Sequence, residues 1–338
     1  MQFKLSGASF KRALIGILGG SSKKAVNFTF TQGLLRLQSN DVIVVEDFVE
    51  VLEQDTTSHS FTAIINNTIQ LIHSKMNVIV QISGDKLTII QNDFQYNVDR
   101  EYMEAVEYKT PELSTSILKV QDLVVLDKDL KALEAVTKLY GSSNINVYIS
   151  DGVICSKAGD IAYIATMDLC DMSLSNQIIK TLCKSIKDDV TYIKEDNVLS
   201  CFDAGRRLLV NVGKTDKQTT NGIKKICNEC KPLVEGFSLS SYKQTVEILH
   251  KVYPNTIVNL SVCKNGFIIY ANNEIANIKV GLGTKPLCTI QISMQQLMSL
   301  FKILGEDTVD IYGGNNKICV KQRYSSYNKI LILAGILY

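Results

Sequence analysis

The spacing of apolar and polar positions changes period six times along the chain. A short run alternating every second residue leads to a small or oxygen-bearing residue. A stripe with a period near 3.6 follows, and then two or three more alternating runs. The six stripes begin near Ser9, Thr62, Asp127, Ser175, Ser240 and Ser293. The first, third and fifth are separated by 118 and 113 residues, and the second, fourth and sixth by 113 and 118. The chain therefore reads as three copies of a unit of about 115 residues, each a doubled β-α-β-β-β block. The predicted class is α+β, with amphipathic helices packed on antiparallel sheets.

Local signals set the expected boundaries. Asp127 is expected to cap a helix that Gly141 stops, Ser240 one that Pro254 stops, and Ser293 one that Gly305 stops. Ser9 opens a helix closed by Gly19-Gly20. The predicted helices are 9–18, 63–75, 127–140, 175–187, 240–253 and 293–304. Runs such as Asn146–Ser150, Asp160–Thr166, Val258–Val262, Gly266–Tyr270 and Thr308–Tyr312 read as strands. Asp151-Gly152, Asn265-Gly266 and Gly314-Asn315 read as the turns of hairpins.

Composition narrows the class. At 338 residues and 46% hydrophobic, the chain can bury two or three cores. It has no run of 18 apolar residues, and its first residues lack the basic-then-apolar pattern of an export signal, so a cytoplasmic protein is expected. The nine cysteines lack framework spacing and read as reduced thiols, mostly small core residues.

The net charge of +2 hides a partition. The six predicted helices are basic as a group, and the strands and loops carry the acid. In the fourth helix Ile179, Leu182, Cys183 and Ile186 form the apolar stripe, and Lys180, Lys184 and Lys187 share the opposite face. In the third, Leu130, Leu133, Val136 and Tyr140 face inward, and Lys128, Lys131 and Lys138 outward. The fifth presents Lys243, His250 and Lys251, interrupted by Glu247. The sixth presents Gln295, Ser299 and Lys302, and the second Asn66, Asn67, Gln70 and His73. The first carries Lys11 and Arg12, with Lys23 and Lys24 just beyond it. One lysine-rich helix face is ordinary solubility. Six equivalent helices, all neutral or basic while the strands and loops carry the acid, point to phosphate backbone contact without base reading. Arginines and aromatics are few on these faces, against stacking on single strands.

This arrangement resembles the bacterial-type replicative sliding clamp, the polymerase β subunit, over the whole chain. The marks are the opening Met1–Leu5 strand with Leu14, Ile17 and the loop Gly19 to Lys24, the segment Val258 to Asn273, the run Ile292–Leu304 followed by Thr308–Tyr312, and the apolar end Ile330–Tyr338. The resemblance implies domains at 1–112, 113–232 and 233–338. It also implies a head-to-tail homodimer closing a ring of twelve helices around duplex DNA, with candidate edge strands at 92–99 and 275–281. The implied activity is that of a DNA polymerase processivity factor, not an enzyme. It needs no cofactor and is loaded by a separate ATP-driven clamp loader. The family holds its partners in an apolar pocket, placed here at Ile149, Thr166 and Leu169, with Ile332, Ala334 and Ile336 of the last strand and tail. The chain's shortness and its cysteine and asparagine content hint at a phage or mobile-element version acting in a host cytoplasm.

Other readings remain open. One is a monomeric viral-type processivity factor that holds DNA by a basic face. The other is a cysteine- or zinc-dependent enzyme. Cys227-Asn-Glu-Cys230 has metal-knuckle spacing, but no second ligand pair of similar spacing exists, so a loop between domains is expected there. Gly213-Lys214-Thr215 resembles the end of a phosphate loop, but Leu208 occupies the place of the required glycine.

Overall fold

The structure is a computed structural model. It describes residues 2–335 except 19–22, 32–33, 40–41, 47–49, 52–58, 84–85, 93, 103–115, 139–144, 204–205, 265, 273–276, 281–284, 305–307 and 324–327. The β-α-β-β-β order recurs six times, with a 3₁₀ turn standing in for the helix of the second block. The first block is β1 (Gln2–Ser6), α1 (Gly7–Leu18), β2 (Lys23–Thr31), β3 (Leu34–Ser39) and β4 (Val42–Glu46). After β5 (Glu50–Val51), the second runs β6 (His59–Asn66), the 3₁₀ turn (Asn67–Leu71), β7 (Asn77–Ser83), β8 (Lys86–Gln91) and β9 (Phe94–Tyr102). The third is β10 (Ser116–Leu118), α2 (Val120–Thr137), β11 (Asn146–Ser150), β12 (Val153–Ala158) and β13 (Ile161–Thr166). The fourth is β14 (Met172–Ser175), α3 (Asn176–Ser185), β15 (Val190–Glu195), β16 (Val198–Asp203) and β17 (Arg206–Asn211). A further helix, α4 (Lys217–Glu229), precedes the fifth block of β18 (Lys231–Ser238), α5 (Ser240–Val252), β19 (Ile257–Cys263), β20 (Gly266–Asn272) and β21 (Asn277–Val280). The sixth is β22 (Pro286–Ser293), α6 (Met294–Leu304), β23 (Thr308–Gly314), β24 (Lys317–Gln322) and β25 (Ile330–Ala334).

Three expectations need correction. The helix expected over 63–75 is β6 followed by a single tight turn. Ala63 and Ile65 are buried while Ile64 is exposed, a two-residue period set by β-branched side chains. The third helix starts at Val120, so Asp127 lies inside it and caps nothing. It carries Asp122, Asp127, Asp129 and Glu134 against Lys128 and Lys131, and is not basic. The loop expected around Cys227 is α4, capped by Asp216, whose carboxylate accepts from the Thr219 N–H (2.9 Å) and hydroxyl (2.6 Å). The edge expected at 92–99 agrees with the register of the described residues, because 94–99 pair with β8 alone and β6 pairs instead with 100–102. Caps also differ in detail. Leu239 precedes α5 without a side-chain cap, and α1 begins two residues before Ser9. Ser293 and Gln296 form the reciprocal box expected of a strong helix start: Ser293 Oγ accepts from the Gln296 N–H (3.1 Å), and Gln296 Oε1 accepts from the Ser293 N–H (2.6 Å).

Chain contacts gather these elements into two compact units, residues 1–124 with 177–213 and residues 125–176 with 214–338. The first holds a thirteen-stranded sheet in the order β10-β15-β16-β17-β4-β3-β2-β6-β9-β8-β7-β1-β5. Its core includes Phe10, Leu14, Ile17, Phe28, Phe30, Leu35 and Leu37, with Phe3 stacked on Phe30 (centroids 3.8 Å apart). The second holds an eight-stranded sheet, β14-β11-β12-β13-β25-β24-β23-β18, and a four-stranded one, β21-β20-β19-β22. Here α6 is buried over most of its length, and the Ser299 hydroxyl donates to the Ala132 carbonyl of α2 (2.7 Å). Ser299 therefore faces the core rather than solvent. Beneath the eight-stranded sheet Asp129 accepts from the Tyr163 hydroxyl (2.8 Å) and pairs with the Lys329 ammonium (2.8 Å). Burial raises the Asp129 carboxyl above its usual range, and Lys329 pulls it partly back.

Candidate nucleic-acid and partner surfaces

In the first unit α1 and α3 touch. A Cβ added at Gly16 would sit 2.1 Å from Ser185 Oγ, so a larger residue there would force the serine hydroxyl to turn away. Above the contact lies a cleft of about 400 Å³ lined by Ala8, Lys11, Arg12, Ile15, Ser74, Lys184 and Lys187. Four of the expected DNA-facing cations thus share one cleft, and Lys180 lies half-buried on the same helix as Lys184 and just ahead of Lys187. They are not equivalent. The Lys11 ammonium donates to the carbonyls of Gln70 (2.6 Å) and Ile72 (2.8 Å), which close the 3₁₀ turn. Lys24 donates to the Ile17 carbonyl (3.1 Å) at the end of α1. Both hold local structure. Lys184 and Lys187 are exposed, and their charge is open to solvent. The side chain of Lys23 lies outside the described residues.

In the second unit Lys128, Lys131 and Lys138 are exposed along and just beyond α2, opposite the buried Leu130, Leu133 and Val136, as the stripe requires. Lys131 is paired with Asp127 one turn earlier, which offsets part of its field. On α5 Lys251 is exposed and Lys243 half-buried, and on α6 Lys302 is the exposed cation. His250 Nε2 is hydrogen-bonded to Gln295 Oε1 (2.8 Å), which ties α5 to α6.

The predicted partner pocket is only partly assembled. Strand register places Thr166 opposite Val153 and Val153 opposite Ser150, so these three share a face. Ile149 pairs with Ile154, which pairs with Ala165, and so points to the other side. A one-residue step reverses the face of a strand, and the position facing with Thr166 is Ser150. Leu169 is buried, and Ile336 lies outside the described residues. Ile332 and Ala334 do fall on the Thr166 face, because Ile332 pairs with Ala162 and Ala334 with Lys317.

That face is covered. Ile223, Ile226, Cys227 and Cys230 recur at helical spacing along α4 and at its end, and pack on Val153, Cys155, Ala162, Ile164, Cys319, Ile330 and Ile332. Two cavities of similar size, about 370 Å³, flank the helix. One is lined by Val153, Ile164, Thr166 and Ile330 with Lys224, Cys227 and Lys321. The other is lined by Ala162, Ile332 and Ala334 with Thr219, Gly222, Ile223 and Ile226. Sequence reasoning missed α4, although Asp216-x-x-Thr219 and the following 3.6-period stripe were visible. Cys227 Sγ lies 3.3 Å from Cys319 Sγ. The Cys319 hydrogen bond lowers the Cys227 thiol to about 7 against its burial, with help from Lys321. Burial pushes Cys155 up to about 11. Among the described residues no three His, Cys, Asp or Glu side chains are grouped to hold a metal ion.

Comparison with known proteins gives a divided result. No protein-family model matches the chain, and no curated protein matches it by sequence. Solved structures match it from end to end. The DNA polymerase III subunit beta of Pseudomonas aeruginosa aligns over 100% of both chains at 12% identity and a TM-score of 0.70. The beta subunit from DNA polymerase of Streptococcus pyogenes does so at 13% and 0.65. The Helicobacter pylori beta clamp bound to a DNA ligase peptide does so at 11% and 0.63. The chain has the fold of the bacterial sliding clamp. At these identities the likeness establishes fold, and the function has to be argued from the surfaces.

Proposed function

We propose that this chain is a DNA polymerase processivity factor that closes a head-to-tail homodimeric ring around duplex DNA. In this reading residues 1–112, 113–232 and 233–338 are three successive clamp domains, and the helices turn their cations toward the phosphates. The observation that carries it is the end-to-end match to sliding clamps of a chain built from six repeated blocks. The α1–α3 cleft supports DNA contact, because Lys184 and Lys187 stand exposed at it and can act on phosphates through charge. Solvated lysines screened by salt let a ring slide without leaving its duplex. The chain does this as a binding module, with opening left to an ATP-driven loader. The cavities that flank α4, one lined by Thr166 and the other by Ile332 and Ala334, take an extended apolar peptide from the polymerase and other replication proteins. The peptide-bound Helicobacter clamp supports that reading by analogy. A solution molar mass tests the assembly. A dimer of the 37.6 kDa chain is expected, and a monomer at tens of micromolar would remove the ring.

A further inference from the structure

Among the nine thiols, Cys227 and Cys319 stand apart. They sit on different elements, 92 positions apart in the chain, with their sulfurs 3.3 Å apart. One end of the pair is on α4 and the other on the sheet face that α4 covers. We propose that Cys227 and Cys319 are a reversible oxidation site whose disulfide fastens α4 across the apolar face of β12, β13, β24 and β25.

Access and chemistry divide the roles. Cys227 is half-buried and lines the cavity that also holds Lys224 and Lys321. The Lys321 ammonium beside a partly open thiol favours its thiolate, the nucleophilic form. Cys319 is fully buried and cannot meet an oxidant first. A hydroperoxide entering the cavity is attacked by the Cys227 thiolate. The new S–O bond forms as the O–O bond breaks, giving a sulfenic acid and a hydroxide that takes a proton to become water. The Cys319 sulfur then attacks the Cys227 sulfur. The S–S bond forms, the S–O bond breaks, and the Cys319 proton leaves with the hydroxyl as a second water. Two thiols are oxidised and one peroxide is reduced.

The neighbouring thiols are poorer partners. Cys230 donates to the Ile226 carbonyl (3.5 Å), and burial raises its thiol and that of Cys155. The link would matter because the cover is thin: within α4 only Thr220 and Ile223 are fully buried. A helix held by so little surface can lift locally, and a covalent tie removes that freedom. The consequence for partner binding rests on the groove reading above. The link itself does not.

The test uses the full chain, hydrogen peroxide as probe, blocking of free thiols and peptide mapping without reductant. Two of the nine thiols should disappear, and the peptide bearing Cys227 should be joined to that bearing Cys319. Amide exchange across α4 should slow by on the order of tenfold. A thiol reductant should reverse both. Cys319→Ala should abolish the link and leave a Cys227 sulfenic acid that dimedone traps, while Cys155→Ala should leave the link intact. If Cys319→Ala does not fold, Cys227→Ser at the half-buried end must abolish the same link. Cys227 joined to Cys230, Cys227 over-oxidised alone, or a link that leaves α4 exchange unchanged would each overturn the proposal. No partner enters any of these measurements, so failure of the groove reading would leave them unaffected.

Discussion

The α1–α3 cleft and the sheet face under α4 are built from the same repeated block, yet they treat charge in opposite ways. In the cleft Lys184 and Lys187 stand in water. In the second unit Asp129 and Lys329 are buried as a pair beneath the sheet, while the opposite face is aliphatic and thiol-bearing and carries a helix as cover. A block whose helix face stays wet can attract a polyanion at little cost to its stability. A block whose sheet face is apolar must be covered by something, and here the chain supplies α4.

The largest test of this contrast removes one charge from each region. Asp129→Ala leaves the Lys329 ammonium buried without its partner and should cost about 3–5 kcal/mol in chemical unfolding of the second unit. Lys184→Ala should change stability by no more than about 0.5 kcal/mol. Equal losses would erase the distinction. Next in size is the cover. Ile223→Ala should weaken the hold of α4 by about 2 kcal/mol, seen as roughly 30-fold faster amide exchange over Lys217–Glu229 with the sheet unaffected. Slower exchange, or a change that spreads through the sheet, would mean that the helix is part of the core.

Much of this was legible in sequence, and the failures have physical causes. Block order, α3 and α6 followed from period and caps, since Leu182 and Ile186, or Leu297 and Leu304, recur on one helical face. The first two turns of α2 were lost because Val124-Val125 reads as strand. The stripe Leu123, Leu126, Leu130 and Leu133 was nevertheless continuous. The helix α4 was lost because a helix that only covers a surface needs few apolar residues. Thr166, Ile332 and Ala334 were found on one face, but Ile149 was not, because pleat direction is not printed in composition.

Smaller effects sharpen the two regions separately. Replacing Lys184 and Lys187 with Gln should reduce the log–log salt slope of DNA binding by roughly 0.9 for each phosphate the protein ceases to neutralise, with the melting temperature unchanged. The same change from exposed strand lysines would detach DNA binding from the cleft. At Cys227 the lowered thiol pKa predicts alkylation that rises with pH through about 7, because the thiolate is the reacting form. Cys319→Ala removes the hydrogen bond that favours the thiolate and should move that midpoint upward. An unmoved midpoint would assign the effect to Lys321 alone.

Topology is the property that separates a sliding ring from any protein that merely adheres to DNA. The protein can be incubated with a linear duplex whose two ends are then blocked by a bulky protein, washed in salt high enough to screen phosphate contacts, and finally cut free with a restriction enzyme. A ring stays through the wash and leaves when the duplex is cut. Loss during the wash with both ends blocked, or retention after the cut, would contradict encirclement.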